Sequence, residues 1–231
     1  MSALLTIVLP VFVVIGFGYL AVWRGYFSDD AVDALMKFGQ SFAIPCLLFR
    51  AISTLELGPA FSFSLLSVFY AAAFLCFLAG VFGARILFGR DWPDCIAIGF
   101  CTMFSNSVLL GLPITERAFG PDALETNYAI ISIHAPFCYI IGITVMEVVR
   151  NGSAARSEMP LKIVRSVFQN ALIIGLSLGF LVNILSIPLP NVLTDGIDLL
   201  ARAALPAALF GLGGVLVRYK PDGDTRYITF A

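Results

Sequence analysis

Ser105-Asn106-Ser107-Val108-Leu109-Leu110-Gly111-Leu112-Pro113-Ile114 is the stretch on which the reading of this chain turns. Three small polar residues, a glycine and a proline interrupt residues 94–114, a run otherwise apolar and long enough to cross a bilayer. At a rise of about 1.5 Å per residue, a hydrocarbon core of about 30 Å takes roughly 20 helical residues. Every backbone polar group in lipid needs a partner within the protein, so such a run is a helix. Pro113 removes one amide donor and clashes with the carbonyl four residues back, while Gly111 lowers the steric cost of bending. The helix is therefore expected to break or unwind. Broken helices leave carbonyls and half-helix termini that are tolerated only where they line a cavity, and that suit a carboxylate or an ion. Asn106, between Ser105 and Ser107, offers an amide that both donates and accepts. The alternative is a packed proline kink, with Asn106 bonded to another helix.

Working outward, six more windows of similar character fall at 4–22, 36–54, 63–84, 127–149, 167–187 and 197–217. The expected fold is all-α: a polytopic membrane protein of about seven transmembrane helices. Composition agrees, because 59% of the 231 residues are hydrophobic and 13% charged, with mean hydropathy +0.94, which no water-soluble surface can display. A membrane barrel would show alternating ten-residue segments instead. A net charge of −1 offers nothing to nucleic acid. Cys46, Cys76, Cys95, Cys101 and Cys138 lie in or beside apolar runs, where thiols act as small hydrophobes. With no CxxC and His134 as the one histidine, neither a metal site nor another cofactor is expected. Sequences of the kinds GxxxxGK[ST], HExxH and GxSxG are absent, so direct ATP use and hydrolysis are not expected and the chain is not read as an enzyme. The first apolar run has no basic leader or A-x-A site and reads as a retained helix.

Basic residues collect on the cytoplasmic side. Arg24, Arg85, Arg90, Arg150, Arg156, Lys162, Arg165, Arg218, Lys220 and Arg226, ten of the fourteen, follow spans one, three, five and seven. Arg117 alone lies in the opposite loops, and Lys37, Arg50 and Arg202 fall within spans. The amino terminus is thus expected outside and the long polar connection 151–165 in the cytoplasm, where Asn151-Gly152-Ser153 would not be glycosylated.

Ile44-Pro45-Cys46-Leu47-Leu48-Phe49 recurs as Leu205-Pro206-Ala207-Ala208-Leu209-Phe210, and the same offset of 161 takes Gly18 to Gly179. The charge pattern is shared: Asp33 and Lys37 at the entrance of span two, and Asp198 and Arg202 in span seven, are i,i+4 pairs. From span two to span seven is an odd number of crossings, so the copies run in opposite directions, the inverted repeat of many secondary transporters. Residues 1–150 read as the first five-helix unit, and 166–231 as two helices of a second. Three helices of a ten-helix plan are then expected to be lost or to follow Ala231.

These motifs resemble the auxin efflux carrier family, which includes plant auxin exporters and bacterial malonate and dicarboxylate permeases. Asn106 through Ile114 is similar to the family's fourth-helix pattern N-T-L-V-M-G-I-P-L, and Phe42 through Ser53 to its second-helix pattern F-A-V-P-L-L-S-F-H-F-I-S. Leu9-Pro10 with Gly16-Phe17-Gly18-Tyr19 looks similar to its first helix. The resemblance implies two inverted five-helix units, crossing at proline-containing breaks where an organic anion binds. Asn106 would contact the carboxylate, and Gly111 and Pro113 would form the crossover. Arg50 stands where the plant pattern has histidine, and the short connection looks like the bacterial branch, located in the inner membrane.

Other residues join the candidate site. Arg50 could take a carboxylate, since a charge within a span is costly, or could snorkel or pair with Glu56. Pro45 and Pro206 read as matched kinks beside a cavity or as packing residues. His134, before Pro136, could relay protons or be a hydrogen-bonded interior histidine. The expected partners are a small organic anion, H+ or Na+ as coupling ion, the lipid bilayer and a second copy in a homodimer. The leading function is alternating-access transport of small carboxylates. Alternatives are a sodium-coupled symporter of the bile-acid type and a non-transporting membrane subunit.

Overall fold

The computed structural model of the chain describes residues 2–151 and 170–219. Among the described residues every regular element is helical, and six helices are long and apolar enough to cross a membrane. We label the helices α1 (Ser2–Trp23), α2 (Asp29–Ser53), α3 (Phe63–Phe88), α4 (Trp92–Met103), α5 (Leu112–Phe119), α6 (Leu124–Asn151), α7 (Ala171–Ile184) and α8 (Asn191–Arg218). The fourth span comprises α4, a wide turn at Ser107–Gly111, and α5. All seven expected windows coincide with these elements, and the chain is an all-α multi-pass membrane protein. The polar connection after Asn151 and the start of the sixth window lie outside the described residues.

Local signals set the helix ends. Ser28 caps α2 by accepting from the Ala31 amide at 3.2 Å, and Asp91 caps α4 through the Asp94 amide at 3.3 Å. Gly89 closes α3 with φ +63°, a left-handed conformation in which a side chain would be strained.

The chain divides into two compact units. Among the described residues the first takes those up to Glu56, Asn106–Tyr128 and 171–219. Its centre is the antiparallel pair α2 and α8. Progress along α8 is matched by retreat along α2: Arg50 pairs with Asp198, Gly39 lies against Ala208, Gly211 against Met36 and Gly214 against Val32. The inverted direction expected of the repeat is therefore realised in this helix pair. Small residues make the approach close, as packing in lipid requires. Val11, Ile15 and Leu209 form a buried cluster, with Leu109, Leu110 and Ile114 from the fourth span packed onto it.

The second unit takes Leu57–Ser105 and Ala129–Asn170. Phe77, Val81, Ala84, Cys95, Ile96, Met103 and Cys138 form its core. Here α3 and α4 meet at Gly80 and Gly99, and the Thr102 hydroxyl donates to the Cys76 carbonyl at 2.9 Å. All five cysteines are free thiols.

Candidate functional site

The fourth span is interrupted at Phe104–Asn106, five to seven residues earlier than the Gly111 hinge reading would put it. Phe104 is extended (φ −82°, ψ 93°), and Asn106 also leaves the helical region (φ −83°, ψ 61°). Between the interruption and Pro113 the helix is wide rather than broken: the Gly111 amide bonds the Asn106 carbonyl at 3.1 Å, five residues back, and the Leu112 amide bonds that of Ser107. Pro113 can neither donate to the Leu109 carbonyl nor lie close to it. A five-residue spacing before it relieves both, and such π-turns recur at functional sites. Span two repeats the device, with a wide turn at Gly39–Ala43 in which the Ile44 amide bonds the Gly39 carbonyl just before Pro45.

At the interruption the chain passes from the second unit to the first, between Ser105 and Asn106. In the first unit, Asn106 Oδ1 accepts from the Leu109 amide at 3.1 Å and so caps the half-helix that follows. Its Nδ2 group has no partner among the described residues, and Asn106 is exposed. The group left over is therefore a donor, seated at a helix N-terminus, where partial positive charge favours anions. Ser107 begins the wide turn.

In the second unit Ser105 is committed elsewhere. Its amide donates to His134 Nε2 at 3.1 Å, and its hydroxyl lies 3.1 Å from the same nitrogen. A nitrogen that accepts from an amide carries its lone pair, so the neutral ring has its proton on Nδ1. His134 is buried, ringed by Phe69, Tyr70 and Phe104, with Cys138 Sγ 3.8 Å from Nε2. His134 is thus buried and hydrogen-bonded to the backbone at the end of α4. A proton on Nε2 would oppose the Ser105 amide.

Arg50 occupies a different setting in the first unit. Its ion pair among the described residues is not with Glu56 but with Asp198 of α8, Nε to Oδ1 at 2.9 Å. Both side chains are about one-third exposed (35% and 33%). They line a cavity of about 640 Å³ with Thr54, Glu116, Tyr128 and Arg202. Asn106 is not among its lining residues. Pro206 is, within an unbroken α8, whereas Pro45 borders a separate groove of about 350 Å³ with Ser41, Cys46 and Gly175. The two prolines are thus not matched kinks on one cavity.

The i,i+4 partners read from sequence are replaced by partners across the helix pair. Asp198 bonds Arg50, while Asp33 bonds Arg218 at 2.7 Å and Asp29 bonds it at 2.9 Å. Each helix places an acid near its N-terminus against the arginine near the other's C-terminus, a disposition that also complements both helix dipoles. Two further polar residues escaped the sequence reading. Asn183 Nδ2 donates to the carbonyls of Ile52 and Leu55 at 2.8 Å each, satisfying the end of α2. Arg117 donates to Thr6 and Ile7 at 3.2 and 3.0 Å. Pro10 deprives the Thr6 carbonyl of its helical donor, a signal that could have located this contact. Among the described residues no cluster of histidine, cysteine and carboxylates could hold a metal.

The chain is similar in sequence to several known proteins. Over 228 residues the chain is 23% identical to "Uncharacterized transporter YfdV" of Escherichia coli (strain K12), covering 96% of this chain and 72% of that one. Over 220 residues it is 26% identical to "Putative malonate transporter" of Rhizobium meliloti (strain 1021), covering 94% and 68% respectively. Over 216 residues it is 28% identical to "Lysosomal cholesterol signaling protein" of Mus musculus, covering 87% of this chain and 24% of the relative. The sequence pattern described as Membrane transport protein matches residues 3–229, and the chain belongs to that family, the one its motifs resemble.

Proposed function

We propose that this membrane transport protein moves small organic anions, malonate or similar dicarboxylates, by alternating access about the interruption of the fourth span. The observation that carries the reading is the state of Asn106. Its oxygen is engaged as a helix cap, and its amide protons are unpartnered among the described residues, beside a half-helix N-terminus inside a membrane-spanning segment. A carboxylate satisfies those donors and a cation does not. The name of the Rhizobium meliloti relative supports malonate as the first substrate to try. Ten basic residues in the loops after spans one, three, five and seven favour an outside amino terminus in a bacterial inner membrane, and H+ or Na+ is the coupling ion.

Asn106→Asp is the decisive variant. Aspartate keeps the capping oxygen and removes the donors, so the fold stands while anion recognition is lost. In vesicles, labelled malonate uptake should fall at least tenfold in Asn106→Asp, with the melting temperature held. Uptake at the wild-type rate would remove Asn106 from substrate binding. Imposed proton and Na+ gradients, compared in the same vesicles, identify the coupling ion.

A further inference from the structure

We propose that the Arg50–Arg202 cavity is itself a binding site for a short dicarboxylate, each guanidinium holding one carboxylate. The proposal deepens the transport reading, on which it rests for the ligand's role. Arg50 uses one of its five N–H groups, Nε, on Asp198, and its two terminal amino groups have no partner among the described residues. Those groups form a complete fork for a carboxylate. Arg202 has no hydrogen bond or ion pair among the described residues, and it lines the same cavity. It follows Asp198 by one helical turn, which sets their Cβ atoms roughly 5–6 Å apart. The guanidinium seated on Asp198 is therefore about one turn from the root of a second, unengaged arginine, a spacing that two carboxylates on a short chain can bridge. At about 640 Å³ the cavity admits such a diacid together with water.

The two acids of the lining have separate tasks. Asp198 steadies Arg50 through a single bond and neutralises it while the site is empty. Glu116 lines the cavity with no ion pair among the described residues, and it opposes any ligand that brings a third carboxylate. The geometry thus selects by charge number: a monoacid leaves one arginine unused, and a triacid meets Glu116.

The test is equilibrium binding of malonate, acetate, citrate and inorganic phosphate to the purified protein, by titration calorimetry. Arg202→Gln loses no partner among the described residues; Arg50→Gln is paired with Arg50→Gln/Asp198→Asn, which does not strand the Asp198 carboxylate. Malonate should bind tighter than acetate, citrate or phosphate. Its affinity should fall at least tenfold in each arginine variant, and citrate should bind once Glu116 is replaced by Gln. Malonate affinity unchanged in Arg202→Gln and in the double variant overturns the site, as does a wild type that binds no malonate or prefers acetate or phosphate. Failure of the transport reading looks different: arginine-dependent binding then persists in a protein that moves no malonate.

Discussion

Gly18 in α1 lies directly on the backbone carbonyl of Phe210 in α8, so closely that a Cβ at position 18 would overlap the oxygen. Moving both residues by the repeat offset of 161 exchanges the partners: Gly179 in α7 rests on the carbonyl of Phe49 in α2, where a Cβ would come to 2.9 Å. A glycine from each copy supports the phenylalanine backbone of the other, as inverted copies related by a two-fold axis should. Gly18→Ala is predicted to cost about 1–3 kcal/mol by overpacking. Gly179→Ala should cost less, because its contact leaves more room. Melting in detergent measures both, and a Gly18→Ala protein as stable as wild type would mean that α1 and α8 can separate without loss.

Pro45 and Pro113 each follow a turn whose amides reach five residues back, from Ile44 to Gly39 and from Leu112 to Ser107. Only the second turn abuts an interruption, since α2 continues through its own wide turn whereas Phe104–Asn106 is non-helical. Pro113→Ala restores a donor for the Leu109 carbonyl and allows an ordinary helical turn, which would draw Asn106 out of its capping position. Malonate uptake is predicted to drop at least tenfold in Pro113→Ala and less in Pro45→Ala, with neither melting temperature reduced. Wild-type uptake by Pro113→Ala would show that the wide turn is incidental to transport.

Length and apolarity made the spans legible, and Pro113 with Gly111 marked the span that fails to stay helical. The exact place of failure was hidden because a proline's missing bond can be absorbed by respacing the amides before it, which moves the interruption to Phe104–Asn106. The ion pairs were hidden for another reason. Asp33 and Asp198 each have a basic residue four places on, in Lys37 and Arg202, and only the register of α2 against α8 brings Arg218 and Arg50 closer. Sequence spacing reports neighbours on one helix, whereas these partners are 148 and 185 residues away. Ser105 illustrates the limit at the site itself: adjacent to Asn106 in sequence, it is bound to His134 in the other unit.

His134 fixes the end of α4 by accepting from the Ser105 amide. Its removal takes that acceptor from the amide, a loss of about 0.5–1.5 kcal/mol. His134→Ala is predicted to speed hydrogen exchange at Ser105 at least tenfold, and His134→Gln, which keeps an acceptor, to speed it less. Equal transport defects in both variants, with Ser105 exchange unchanged, would instead make the imidazole a carrier of protons.

Arg218 and Arg50 secure opposite ends of the α2–α8 pair, but in different surroundings. Asp33 and Asp29 are 65% and 68% exposed beneath Arg218, whereas Asp198 is 33% exposed beneath Arg50. Salt screens exposed pairs most, the screening length shrinking to about 3 Å at 1 M. Arg218 also donates to the backbone carbonyl of Asp29, a contact that salt weakens little. The melting-temperature loss in Arg218→Gln should therefore shrink in 1 M NaCl without vanishing, while the loss in Arg50→Gln persists, because Asp198 there remains half-buried and unpaired. Equal salt dependence at the two ends would mean that water reaches both pairs alike, and the difference in carboxylate exposure would then have no energetic consequence.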